Sequence, residues 1–204
     1  MAATIPACAV LPGCREQDPR AVAAVRDVLV RWHGAMLAGD RQTYLNCYTG
    51  TDEMLRLEAA RLELHTAAMG FRDRYIAEYG REAWQDHQDT AGASLGLPPE
   101  SAEYPHLIEI RIKDGYALLT WPDSPRNRMF EVKKTDQGWK LVAGQWLGYT
   151  AGGRGDIPQT MQLNLDLAEA IRDIAKRIGQ PGYTARRVTE QLAERMQAIG
   201  RGES

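Results

Sequence analysis

The stretch RIKDGYALLTW, Arg111 to Trp121, decides the fold. Apolar and polar residues alternate on both sides of Asp114-Gly115. A period of two places one set of side chains on each face of a strand. Asp-Gly between two such runs is a two-residue hairpin signal, because Gly accepts the positive φ that this turn needs. Just upstream, HLIEIRIK sets Ile108, Ile110 and Ile112 against Glu109, Arg111 and Lys113. Downstream, MFEVKK and WKLVAGQW form a second hairpin around TDQG, with Phe130 and Val132 opposite Glu131 and Lys133. The expectation is an antiparallel meander of about four strands with one wet face and one buried under helices.

Helical spacing flanks this sheet on both sides. Val22, Val25, Leu29, Trp32 and Met36 recur every three or four residues, so they share one helix face. Gly39 ends that helix and Asp40 caps a short second one, DRQTYLNCY. Thr51 or Asp52 opens a long helix towards Tyr79, ended by Gly80, with Leu55, Leu62, Met69 and Ile76 along its inner seam. Residues 81–105 continue helical through Trp84 and then turn into a long Gly- and Pro-containing loop. After the sheet, Leu163, Leu167, Ile171, Ile174 and Ile178 mark one helix. Val188, Leu192, Met196 and Ile199 mark another, which Thr184 caps. Together they form an αα-hairpin that must bury its apolar stripes on the main domain or on a partner subunit.

Three segments follow: residues 1–18 as a tail or leader, 19–150 as an α+β domain, and 151–204 as the helical hairpin. AVLPGC resembles the lipobox of exported bacterial lipoproteins, which would place a lipid on Cys14. The preceding apolar run is short, contains Pro6 and Pro12, and lacks a basic start. The default is therefore a cytoplasmic protein, and the alternative is an exported lipoprotein anchored at Cys14.

Composition narrows the function classes. The chain has 204 residues, with Lys+Arg 25 against Asp+Glu 27 and a formal charge of -2. Both signs are interleaved, so a nucleic-acid partner has no electrostatic footprint. No apolar run is long enough for a transmembrane segment. Cys8, Cys14 and Cys47 cannot all pair, and none has metal-ligand spacing to a histidine. Asp86, His87 and Asp89 are adjacent on a helix and diverge, so neither a metal nor another cofactor is expected. GGRGD lacks the strand-before, helix-after setting of a phosphate loop.

Two stretches carry a family likeness. VLVRWHGAMLAGDRQTYLNCYTG resembles the first two helices of NTF2-like proteins, the cystatin-like α+β cone. MFEVKKTDQGWKLVAGQW resembles their closing hairpin. The likeness covers about residues 20 to 148 and extends to an uncharacterised bacterial group that carries such a domain with a helical C-terminal extension. It implies N-terminal helices packed on a curved sheet around a pocket. It does not imply a reaction, because this scaffold hosts isomerases, dehydratases, binding modules and assembly domains.

On that reading the pocket is lined by Trp32, Met36, Tyr44, Tyr48, Leu62, His65, Met69, Ile110 and Phe130. The family's enzymes use an Asp or His base with a Tyr or Asp donor. The candidates here are His65, His33, Tyr48 and Asp73, none of them on a strand. The inward strand positions are Ile, Leu, Phe, Val and Trp, an apolar lining that favours a non-catalytic module. Such a module binds a small apolar or amphipathic ligand or serves in assembly. The alternatives are an isomerase, dehydratase or hydrolase acting through a His/Tyr/Asp pair, and an envelope-associated protein that forms a homodimer through its C-terminal helices.

Overall fold

A computed structural model describes residues 17–90, 95, 97, 100–121, 129–145 and 156–202. The chain is α+β, with a five-stranded mixed sheet and, among the described residues, six helices. In chain order these are α1 (Pro19–Ala38), α2 (Arg41–Asn46), β1 (Tyr48–Thr49), α3 (Asp52–Thr90), α4 (Tyr104–Leu107), β2 (Glu109–Lys113), β3 (Tyr116–Thr120), β4 (Met129–Thr135), β5 (Gly138–Val142), α5 (Ile157–Ala175) and α6 (Ala185–Gly200).

The sheet runs β1-β5-β4-β3-β2. The four antiparallel strands are those the alternation predicts. The fifth, β1, corrects the expectation of about four. It is two residues long and pairs parallel to β5, Tyr48 with Leu141 and Thr49 with Val142. Two residues carry no readable period, which is why it escapes the pattern. Asp114 (φ 48) and Gly115 (φ 81) both take the left-handed conformation at the β2–β3 turn. Ile110, Ala117, Leu119, Phe130, Val132, Trp139 and Leu141 are buried, while Glu109, Arg111, Glu131 and Lys133 are exposed.

Capping fixes where the helices begin. Asp18, Asp40, Asp156 and Thr184 each accept a hydrogen bond from a backbone N–H in the first turn of α1, α2, α5 and α6. Gly39 closes α1 through bonds to the carbonyls of Ala35 and Met36. In α3 the helix does not stop at Gly80. It kinks there, with φ 90 and ψ 166, and resumes to Thr90. That backbone is one an L side chain rarely adopts, and Gly supplies it without steric cost.

Two apolar cores share α3. The first lies between the sheet and α1–α2, and Leu55 and Leu62 reach it from α3. The second joins Ala67, Ala68, Phe71, Tyr75 and Trp84 to Ala168, Ile171, Ile174, Val188 and Leu192 of the C-terminal hairpin. The hairpin stripes therefore pack on α3. Ile171, Ile174 and Ile178 of the expected α5 stripe are buried, but in its first turns Leu163 and Leu167 are half-buried while Asn164 and Ala168 are the covered positions. Arg172 pairs with Glu63, and Gly179 abuts Glu78, so α5 runs alongside α3 in the same direction. Among the described residues no helix is long and apolar enough to cross a membrane. Cys8, Cys14, Trp146 and the Arg154-Gly155 pair lie outside the described residues.

Candidate functional site

The polar groups nearest the sheet gather where α1, α2, β1 and α3 meet. Trp32 donates its Nε1–H to the Tyr48 hydroxyl at 2.8 Å. The Tyr48 and Tyr44 hydroxyls lie 3.1 Å apart, with ring centroids at 5.1 Å. Indole nitrogen can only donate, so one lone pair of Tyr48 is already used. Burial pushes the Tyr48 phenol well above its usual value, and the neighbouring Tyr44 and Glu58 add to this. Burial, then the charge of Glu58, raises Tyr44 as well. At neutral pH both are therefore O–H groups and not phenolates.

Glu58 is fully buried. Its Oε1 accepts from Arg61 Nη1 at 2.7 Å and from the Gly144 N–H at 2.9 Å, just beyond β5. Its Oε2 has no partner among the described residues. Pairing and hydrogen bonding offset part of the cost of taking a carboxylate out of water. Sequence reading passed over Glu58, although position 58 lies three after Leu55 and four before Leu62. A Glu there reads as a surface residue unless its partners are known, and one of them is a backbone amide more than eighty residues away.

His65 follows two turns later and is half-buried, with Nδ1 shielded and unpartnered among the described residues. Burial, helped by the Arg61 charge, pushes its pKa down to about 4. Such an imidazole is neutral at pH 7 but weakly basic, a poor match for a general base. Of the other proposed groups, Tyr48 belongs to the phenol pair above. His33 is buried against the rings of Trp32 (6.3 Å) and Tyr104 (5.7 Å). Asp73 is exposed and held by Arg72 at 2.7 Å.

Of the expected pocket lining, Trp32, Met36, Tyr44, Tyr48, Leu62, Ile110 and Phe130 do come together, as one packed cluster. Met69 is buried further along α3. A gap among the described residues, bounded by Trp32, Tyr48, Trp121, Phe130 and Leu141, has a volume of about 10 Å³. That is roughly the space of one water molecule. Cys47 lies at the edge of this layer, buried, with Sγ 3.3 Å from the Thr43 carbonyl and its thiol pKa raised by burial.

Larger openings lie among the helices. A cleft of about 540 Å³ separates the end of α3 from the start of α6. His87 in its wall is buried, stacks on Trp84 at 5.0 Å and contacts Thr189 Oγ1 through Nδ1 at 2.8 Å. Thr189 Oγ1 also lies 3.1 Å from the Ala185 carbonyl and 3.4 Å from the Tyr75 hydroxyl. Burial lowers the His87 pKa, and Nε2 has no partner among the described residues. This contact clasps α6 to α3. A second groove, of about 610 Å³, runs between α5 and α6. Among the described residues no cluster of three His, Cys, Asp or Glu side chains is placed to hold a metal ion.

Comparison of the chain with family models, curated proteins and solved structures returned no match.

Proposed function

We propose that the chain is a non-catalytic module of NTF2-like type that works in assembly through its helical layer. The observation that carries this reading is that, among the described residues, the gap beside Trp32, Tyr48 and Phe130 has only about 10 Å³, too small for an organic ligand. The polar cluster around Tyr48 and Glu58 then serves to lock α1, β1, α3 and the end of β5 in register. Side-chain NMR of Trp32, Tyr44 and Tyr48 during titration with a medium-chain fatty acid and with 8-anilinonaphthalene-1-sulfonate tests it. The expected result is no saturable shift of these rings. A stoichiometric shift would mean that the interior opens to a small amphipathic ligand, the other half of the binding-or-assembly expectation.

A second reading is acid–base chemistry, favoured by the grouping of Tyr44, Tyr48 and Glu58 around one buried spot. It needs an opening beside Trp121 and Phe130 wide enough for a substrate. The same titration is its first test, because a site that admits no small molecule performs no turnover.

A further inference from the structure

The groove between α5 and α6 combines an apolar floor with selectively placed charge. Ala170, Ile174, Ala198 and Ile199 form the floor. Ala170, Ile174 and Ile199 are buried in the helix pair, and Ala198 is half-buried, its small side chain leaving room above it. Small residues at such positions let a third backbone approach closely.

The rims are not an average sample of the hairpin. Residues 157–200 carry five carboxylates, and four of them, Asp166, Glu169, Asp173 and Glu194, line the groove. The same span carries six basic side chains, of which only Arg177 and Arg195 line it. The hairpin is thus slightly basic as a whole and acidic along this one channel. Asp173 is already engaged by Lys176 at 2.8 Å and Asp166 accepts from Gln162 Nε2 at 2.7 Å, whereas Glu169 and Glu194 make no ion pair among those formed by the described residues.

From this arrangement we propose that the α5–α6 groove is the docking site for a basic amphipathic helix of a partner protein. Branched aliphatic side chains of that helix fill the space over Ala170 and Ala198. Its Lys or Arg residues meet Asp166, Glu169 and Glu194. This is helix-in-groove recognition, in which the apolar face gives affinity and the rim charges give orientation and on-rate. The inference rests on the assembly reading and names its partner class. Its failure is separable, because the groove is remote from the tryptophan and tyrosine rings that report on the interior.

The test uses the full chain and a fluorescein-labelled leucine–lysine model helix of about four turns, read by fluorescence anisotropy. Saturable one-to-one binding that weakens with added salt is expected. The double substitution D166K/E169K should weaken it about tenfold or more, and the groove-filling Ala198→Leu should do the same. Asp136→Lys, in the β4–β5 turn, should leave it unchanged. Circular dichroism checks that each variant remains folded. Equal binding of the leucine–glutamate counterpart, or binding that neither groove variant changes, would overturn the proposal. So would self-association of the chain that both groove variants abolish, since a second copy would then be the occupant.

Discussion

Replacing Glu58 with Leu isolates the contribution of the buried carboxylate. The substitution conserves bulk roughly but strips two donors of their acceptor. Arg61, whose side chain is 12% exposed, loses its 2.7 Å partner. The Gly144 N–H loses its 2.9 Å acceptor. Breaking one side of a buried pair typically costs about 3–5 kcal/mol, because the remaining charge is left without compensation. For a chain of this length a loss of that size lowers the melting temperature by roughly 10 °C. Urea denaturation followed by tryptophan fluorescence gives the free energy, and the double substitution E58L/R61L completes a thermodynamic cycle. With both charges gone, most of the loss should return, leaving a cost below about 2 kcal/mol. If Glu58→Leu costs less than about 1 kcal/mol, or if the two single losses simply add, the carboxylate is not the structural tie described above. An acid–base role for it would then need to be revisited.

Three further outcomes follow from particular residues. His65 and His87 both have pKa values below the unfolded imidazole value, so the unfolded chain binds protons that the folded chain does not. Stability should therefore be complete above pH 6.5 and fall as the pH drops towards 4, by at most ~3 kcal/mol from His65. Urea midpoints at stepped pH check this, and His65→Gln should flatten the profile. Gly80→Ala should cost about 1–3 kcal/mol in thermal unfolding, since a Cβ there meets no atom within 4 Å and the penalty is the backbone at φ 90. Phe71→Ala, at the fully buried centre of the second core, should cost about 3–5 kcal/mol and raise amide exchange in α5 and α6 before the sheet.

The sheet is the part most legible in the sequence. Period-two alternation and one Asp-Gly turn are local signals, and Ile110, Leu119, Phe130 and Val132 face where the alternation puts them. Helix starts at Asp40 and Thr184 were equally readable, because a cap acts within four residues. What escaped depends on distant partners. The two-residue β1 exists through its pairing with Leu141 and Val142. The α3 seam through Leu55 and Leu62 is one of two buried faces. The face with Phe71 and Tyr75 is set by α5 and α6, which arrive about a hundred residues later. For the site, the aromatic cluster is legible, whereas the size of any gap within it is not. Whether such side chains enclose a hollow depends on volumes and rotamers, and no residue pattern encodes those directly. The roles of the acid–base candidates are hard to read for a related reason. Helical spacing places His65 and Asp73 on one helix, but exposure and partners decide what each can do.

Xenon pressurisation of crystals measures directly whether the interior beneath the sheet is filled as proposed, because apolar cavities large enough for an atom take it up. The prediction is no xenon between Trp32, Phe130 and Leu141. A well-occupied xenon atom there would contradict it.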